Sequence, residues 1–357
     1  MAVPERAGSW YQRAMIPQAQ IQGQELLQLV MFGQMHFQSL WAGIDLGIFE
    51  ILKPGPQTIT QIAEGAGIAL QPARIVMSNL VALGFVDRQG EAYANGPLAE
   101  RFLVKSGQDS VVDVMGWLAR IVYVGVTDYP RSLRENRAVG LERFPGTGTT
   151  LYERLVSDPE LEKVFQDAMS GMPSNRFLAD LIPLEGRKQL CDCGGGAGRN
   201  AVALVKANPG LQVTIFDQPS VCAKARENVD SHGLADRIST YDGNFLEDSF
   251  PPGMDSILYS HIGSIWSHET NVRVFRRAAQ ALPPGGRFYI YNMVAADDHS
   301  GPLSVTCGSV YFHGLATGEG LMHSAADYGA MLLEAGFSSV ELLRDLPVSH
   351  ALVIGTR

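Results

Sequence analysis

The chain has 357 residues, of which 46% are hydrophobic and 18% are charged, and its formal net charge is −9. This length suggests about two domains, and the apolar fraction is enough for substantial cores. The acidic balance, together with the lack of any dense Lys/Arg run in the sequence, argues against a nucleic-acid partner.

The sequence also argues against export and membrane insertion. The N-terminal stretch MAVPERAGSW lacks the charged-then-apolar pattern of a secretory signal. The longest apolar stretches are interrupted within about a dozen residues, which is too short to cross a bilayer. The sequence therefore predicts a cytoplasmic protein that does not contact a membrane.

The first predicted element is a long helix within residues 20–55, which is apolar on nearly all sides. Such a helix is typical of a surface that a partner subunit covers. Further along, Thr58 or Thr60 can cap a short helix, and Pro72 suits the first turn of the next one. That helix is expected to end at Gly84, before two short strands around Gln89-Gly90.

Helices followed by a hairpin form a winged-helix-like pattern, for which DNA binding is one interpretation. The helix that would enter the groove, PARIVMSNLVAL, carries only Arg74 as a cation. Because phosphate contacts supply much of the affinity for DNA, this interpretation is disfavoured. We expect a dimerisation module instead, and hence a homodimer.

After about residue 185 the pattern changes to short β-branched runs that alternate with amphipathic helices. This alternation favours an α/β fold with a largely parallel, Rossmann-like sheet. We predict two domains, a mostly helical one over residues 1–180 and a cofactor-binding one over residues 181–357.

The strongest local signal is the stretch LCDCGGGAGRN, in which a strand runs into a glycine-rich turn and then a helix. Glycines such as Gly194 and Gly196 let a ligand approach the backbone closely. Asp217 closes the next strand, where a carboxylate can accept hydrogen bonds from ribose hydroxyls. After the third strand, Asn244 can bond an adenine edge and Phe245 can stack on it.

Taken together, CDCGGGAG, NPGLQVTIFDQPSV, DGNF and LPPGGRFYI resemble the plant-type small-molecule O-methyltransferases and their bacterial natural-product relatives. The resemblance implies a class I methyltransferase sheet, a winged-helix-like dimerisation domain and S-adenosylmethionine as cofactor. FQDAM resembles the segment whose methionine lies near the sulfonium. In most relatives the Asn244 position is Asp, so the adenine contact is altered here. The predicted cofactor contacts are Gly194, Gly196, Asp217, Gln218, Gly243, Asn244, Phe245, Ser260 and Met169.

One departure from the family pattern changes the expected chemistry. The phenol O-methyltransferases of this superfamily carry a His-Asp-Trp motif after the fourth strand of the sheet, and its histidine removes the acceptor proton. Alignment on Trp266 places Ser264 and Ile265 at the His and Asp positions. A serine without a partner base is a poor general base near neutral pH.

His261 stands three residues before Ser264, and His313 lies in a later loop. The stretch around His261 resembles the bacterial 2-oxo acid C-methyltransferases, such as the phenylpyruvate type, which act in peptide natural-product pathways. That resemblance implies that His261 and His313 are metal ligands, for which iron or zinc is suited. The metal would polarise the ketone of a chelated 2-oxo acid and stabilise the C3 enolate. Arg120 is our candidate for binding the substrate carboxylate.

Two other functions remain open at this stage. The first is methyl transfer to oxygen or nitrogen, with His261 or no base assisting. The second is an enzyme of the same fold that binds S-adenosylmethionine without transferring its methyl group. We predict carbon methylation at C3 of a 2-oxo acid in nonribosomal peptide biosynthesis, with His261, His313 and Arg120 as the catalytic group.

Overall fold

The computed structural model describes residues 23–107, 109–171 and 177–357. Residues 20–22, at the start of the predicted first helix, lie outside this part. Among the described residues, no helix is both long and apolar enough to span a membrane.

The N-terminal region contains the predicted helices and hairpin. Thr58 caps its helix through a reciprocal pair of bonds with Gln61, because a hydroxyl at this position satisfies a free backbone N–H. Three antiparallel strands pack in the order β1-β3-β2. The elements are Gln24–Asp45, Ile48–Leu52, Ile59–Gly65 and Leu70–Ala82 as helices, with β1 (Gln57–Thr58), β2 (Val86–Gln89) and β3 (Ala92–Asn95).

The first long helix leaves an apolar face uncovered in the single chain. The exposed fractions of Leu27, Val30 and Met31 are 58%, 71% and 61%. Apolar surface of this extent on one helix is typical of a protein–protein interface. The observed face therefore agrees with the prediction that a partner subunit covers this helix.

A helical layer connects this region to the sheet. Two of its segments are π-helical, and such turns frequently mark functional sites. They are Leu118–Val122 and, from the later chain, Phe312–Ala316. The α-helices of the layer are Pro97–Phe102, Val112–Trp117, Tyr123–Gly125, Tyr129–Glu135, Leu151–Leu155, Pro159–Gly171, Leu178–Leu181, Leu303–Thr306 and Gly308–Tyr311, and a 3₁₀ turn covers Val139–Arg143.

The second half of the chain forms a seven-stranded sheet in the order β6-β5-β4-β7-β8-β10-β9. The first five strands in this order pair in parallel, whereas β10 is antiparallel to both of its neighbours. The strands are β4 (Gln189–Cys193), β5 (Gln212–Asp217), β6 (Ile238–Asp242), β7 (Ser256–Ser260), β8 (Arg287–Met293), β9 (Ser339–Leu346) and β10 (His350–Thr356).

Helices cover both faces of this sheet, which explains why its strands are apolar on both sides. Alternate residues of a strand pack into the hydrophobic cores on opposite faces of the sheet, so that Tyr259 packs on one face and Leu258 on the other. The covering helices are Arg199–Ala207, Pro219–Ser231, His268–Ala281 and Ala325–Glu334. The strand order reverses between β4 and β7, and ligands bind beyond the carboxyl ends of strands at such a point.

Candidate active site

The glycine-rich turn follows β4 and leads into the helix Arg199–Ala207. Gly194 and Gly196 have φ values of +64° and +56°, a backbone region that residues with a side chain rarely adopt. A Cβ at Gly196 would meet no heavy atom within 4 Å, so open space adjoins the turn there. The turn therefore has the open space beside Gly196 that close approach of a ligand requires, and cofactor binding there remains a prediction.

Asp217 ends β5 beside this turn. Its Oδ2 accepts a hydrogen bond from the Gly196 backbone N–H at 2.9 Å, and its Oδ1 accepts one from the Gln218 N–H at 2.8 Å. Burial raises the pKa of this carboxyl, although the two backbone bonds oppose the shift. Each oxygen keeps a second lone pair, so the carboxylate fits the ribose hydroxyls of S-adenosylmethionine.

Asp192, on β4, is a site residue whose role the sequence did not reveal. The carboxyl is 1% exposed, and neither oxygen has a hydrogen-bond partner among the described residues. A Cβ at Gly195 would lie 2.7 Å from its Oδ2, so the carboxyl adjoins the glycine turn. An unpartnered buried carboxyl is complementary to the α-ammonium group of S-adenosylmethionine.

Burial, with a smaller contribution from Asp217, raises the pKa of Asp192 to about 7. The folded state therefore holds this proton more tightly than the unfolded chain, in which the pKa of an aspartate is about 3.9. The resulting stability is fully present below that unfolded pKa and is lost as pH rises through about 7. We expect cofactor-free Asp192→Asn to melt several degrees above wild type at pH ~8, with a smaller difference at pH ~5.

Thermal unfolding at a series of pH values measures this effect. Asp236→Asn is the matched control because Asp236 is an exposed residue. A difference between Asp192→Asn and wild type that stays constant with pH would contradict the prediction.

The turn after β6 is tied to β5, because the Gly243 N–H donates to the Asp217 carbonyl at 2.9 Å. The Asn244 Oδ1 accepts the Leu246 N–H at 3.0 Å, which leaves the amide NH₂ as the group for an adenine edge. The Phe245 ring meets Tyr259 edge-on at 6.1 Å between centroids. The predicted adenine contacts of Asn244 and Phe245 remain predictions.

The other predicted cofactor residues occupy different settings. The Ser260 hydroxyl, at the end of β7, is buried without a hydrogen-bond partner among the described residues, so it is available to a ligand. Gln218 is exposed at the start of the helix Pro219–Ser231 and contributes its backbone N–H to Asp217. Met169 is part-buried in the helix Pro159–Gly171.

His261 follows β7 directly, and its φ of +58° is rare for a residue other than glycine. Its backbone N–H donates to the Tyr291 carbonyl at 2.9 Å, which fixes the segment to β8. The Nε2 atom is buried and has no hydrogen-bond partner among the described residues. Burial, with a smaller contribution from His350, lowers the pKa of His261 to about 3, so the imidazole is neutral.

His313 lies in the second π-helical segment and has different neighbours. Its ring meets Tyr129 edge-on at 6.0 Å, and its Nε2 is 3.4 Å from the Asn136 Oδ1. Its Nδ1 is buried without a partner among the described residues. Within the described ranges, no group of three or more His, Cys, Asp or Glu side chains is placed to hold a metal ion. A metal at His261 and His313 would need further ligands from the substrate or water.

Arg120, the predicted carboxylate partner, lies in the first π-helical segment. Its guanidinium forms an ion pair with Glu160, and the exposed fractions of these two side chains are 38% and 75%. Surface pairs of this kind are weak and exchange easily. In this structure the Arg120 guanidinium is therefore engaged by Glu160. Binding of a substrate carboxylate by Arg120 remains a prediction.

Ser264 lies in a short 3₁₀ turn, Gly263–Ile265, and is 2% exposed. Asn271 anchors this turn, since its amide donates to the carbonyls of Gly263 and Trp266 at 2.8 and 3.1 Å. The turn thus buries the serine that the sequence aligns with the histidine of the phenol O-methyltransferases, a correspondence that remains a prediction.

Comparison with known proteins identifies the class. A family model described as the O-methyltransferase domain matches residues 131–338, and one described as the O-methyltransferase dimerisation domain matches residues 29–105. The chain therefore belongs to the O-methyltransferase family, and it is an S-adenosylmethionine-dependent methyltransferase. The fold predicted from the sequence is confirmed.

Particular relatives differ in the atom that they methylate. The L-tyrosine C(3)-methyltransferase of Streptomyces lavendulae is 34% identical over 93% of each chain. The 3-hydroxy-5-methyl-1-naphthoate 3-O-methyltransferase of Streptomyces sahachiroi is 30% identical, over 90% of this chain and 91% of its own. The solved structure of the S-adenosylmethionine-dependent methyltransferase SibL, in its apo form, is 34% identical with a TM-score of 0.78, covering 93% of this chain and 98% of that one.

Proposed function

We propose that this enzyme transfers the methyl group to a carbon atom of a small acceptor. The observation that supports this most is the buried Ser264, followed by Ile265, in place of the His-Asp pair of the phenol O-methyltransferases. The similarity to a tyrosine C(3)-methyltransferase along 93% of the chain points in the same direction.

The acceptors that best suit this site carry a hydroxyl next to the target carbon. When a base accepts the proton from the O–H group of a phenol or an enol, electron density moves to the adjacent carbon. His261 can accept that proton, because its Nε2 is buried, neutral and unpartnered. The carbon then forms a bond to the methyl group of S-adenosylmethionine as the methyl–sulfur bond breaks, which releases S-adenosylhomocysteine. A phenol afterwards loses the ring proton on the methylated carbon and regains its O–H proton, whereas the enol of a 2-oxo acid gives the methylated ketone without further proton loss.

Two further polar atoms lie in or beside the two π-helical segments without a hydrogen-bond partner among the described residues. They are Tyr123 Oη and His313 Nδ1. Buried polar atoms without partners are rare in folded proteins and are frequent where a ligand binds. This part of the helical layer is therefore our candidate wall of the acceptor pocket.

Two acceptor classes meet these requirements. A phenolic amino acid is favoured by the name of the relative from Streptomyces lavendulae. A 2-oxo acid, methylated at C3, is favoured by the free ring nitrogens of His261 and His313, which suit iron or zinc together with two substrate oxygens. Such a metal would supply Lewis-acid polarisation of the ketone. Either acceptor class fits a role for the enzyme in the biosynthesis of an antibiotic. The dimerisation domain separately supports a homodimer.

The position of the new methyl group tests the proposal. We expect transfer from S-adenosylmethionine with a ¹³C-labelled methyl to give a carbon-bound methyl signal by NMR, with L-tyrosine, 3,4-dihydroxyphenylalanine, phenylpyruvate and 4-hydroxyphenylpyruvate as acceptors. Methyl signals on oxygen or nitrogen alone would contradict carbon methylation. Release of S-adenosylhomocysteine, measured in parallel, reports turnover whatever the position.

The same assay separates the two acceptor classes. If the 2-oxo acid is the acceptor, treatment with a chelator removes activity, added iron or zinc restores it, and purified protein contains about one metal per chain. If a phenolic amino acid is the acceptor, chelator-treated protein stays fully active toward it.

A further inference from the structure

His350, the first residue of β10, lies beside His261 and is 1% exposed. The two imidazole rings meet edge-on, with 5.0 Å between their centroids and an interplanar angle of 73°. On its other side the His350 ring stacks on Tyr291 at 4.7 Å. β10 pairs with β8, so that His350 is opposite Met293 at the edge where β7 also ends. The antiparallel strand thus brings a second histidine to the candidate site.

The hydrogen bonds of His350 determine which of its ring nitrogens can bind a ligand. Its Nδ1–H donates toward two backbone carbonyls, that of Val348 at 2.8 Å and that of Pro347 at 3.1 Å. Since carbonyls only accept, Nδ1 carries the proton and Nε2 is an acceptor. This Nε2 is buried without a hydrogen-bond partner among the described residues, as is the Nε2 of His261.

The backbone on both sides of this histidine pair is strained. Asp345, Val348 and Ser349 have φ values of 57°, 61° and 56°, and His261 has 58°. None of these residues is glycine, and Val348 is β-branched, so the surrounding fold must impose these conformations. Strain of this kind clusters at ligand sites, because it fixes side chains in the position that binding requires.

The two Nε2 atoms do not bond to each other, since each is without a partner. Two buried acceptors therefore call for two hydrogen-bond donors, and one hydroxyl has only one hydrogen to donate. As the group that takes the hydroxyl proton in the proposed function, His261 uses its Nε2 as an acceptor, and the proton on Nδ1 of His350 makes its Nε2 an acceptor as well. A lone hydroxyl would leave one of the two nitrogens unpaired.

We propose that His350 determines acceptor specificity, and that the acceptor presents two neighbouring donors, one to His261 Nε2 and one to His350 Nε2. An aromatic ring with adjacent hydroxyls, or with a hydroxyl beside an amino group, has this arrangement. The inference rests on the proposed function, because it takes the hydroxyl that His261 binds as the one beside the methylated carbon.

Binding measurements test the inference without turnover. Calorimetric titrations in the presence of S-adenosylhomocysteine would compare L-tyrosine, 3,4-dihydroxyphenylalanine and 3-methoxytyrosine, whose methoxy group has no hydrogen to donate. We expect wild type to bind the dihydroxy compound about tenfold more tightly than the other two, the effect of one additional hydrogen bond to a buried acceptor.

The variants assign this preference to His350. In His350→Phe the dihydroxy compound and L-tyrosine should bind equally, whereas His350→Gln, which keeps a side-chain acceptor, should retain part of the preference. S-adenosylhomocysteine affinity and the melting temperature show whether each variant is folded. If both variants fail to fold, the wild-type comparison of the three ligands still decides.

A wild-type protein without preference for the dihydroxy compound would overturn the inference, as would a folded His350→Phe that keeps the preference. A different measurement would contradict the proposed function, namely an NMR spectrum that shows the transferred methyl group only on oxygen or nitrogen. The two failures are therefore distinguishable.

Discussion

Replacing Asp217 by Ala is expected to weaken S-adenosylmethionine binding about hundredfold, because two charge-assisted hydrogen bonds to the ribose would be lost. The variant also removes the acceptor of the Gly196 N–H, which holds the glycine turn against the end of β5. Calorimetry with S-adenosylmethionine or S-adenosylhomocysteine measures the effect directly, independently of the acceptor.

Two further variants make this test specific. Asp217→Asn keeps one acceptor oxygen and should give an intermediate loss. Asp230→Ala changes an exposed aspartate on the adjoining helix Pro219–Ser231 and should leave the affinity unchanged. Equal affinities of Asp217→Ala and Asp230→Ala would show that the ribose is not bound at Asp217.

Replacing His261 by Ala is expected to lower kcat at least about a hundredfold, the range for removal of a group that assists proton transfer. The affinity for S-adenosylmethionine should change by less than about threefold, since none of the predicted cofactor contacts is made by the His261 side chain. The measurement is the rate of S-adenosylhomocysteine release at saturating cofactor, together with a cofactor titration.

His268→Ala is the matched control for this histidine. His268 lies nearby in the sequence, but its ring is exposed and its Nε2 is 2.8 Å from the Glu334 carboxylate. It should retain full activity. If His261→Ala were as active as His268→Ala, His261 would have no part in activating the acceptor, and a base elsewhere would have to be sought.

The cofactor side of the site can be predicted from the sequence because the residues that suit a cofactor lie close together in the chain. A strand, a glycine turn and a helix follow one another within one short stretch, and Asp217 ends the next strand. In a parallel sheet the carboxyl ends of consecutive strands meet at one edge, so the spacing in the sequence implies the proximity in space. Asp192 was visible only as part of the strand, because its lack of a partner depends on the atoms packed around it.

The acceptor side could not be read in this way. Arg120 suits a carboxylate by its chemistry, but the packing of the helix Pro159–Gly171 brings Glu160 to it. The family resemblance pairs His261 with His313 as metal ligands, whereas the structure gives His261 the neighbours Tyr291 and His350. No local pattern singles out His350, whose ring is placed by strand pairing across the sheet.

The sequence by itself determined the class of enzyme, and it predicts the position of the cofactor turn and the replacement of the usual His-Asp pair, since each depends on residues close together in the chain. Only the tertiary structure decided which side chains share the acceptor side. The antiparallel pairing of β10 with β8, and the strained turn that precedes β10, set the position of His350 beside His261. Such contacts between distant segments arise from packing and register, which no local sequence pattern encodes.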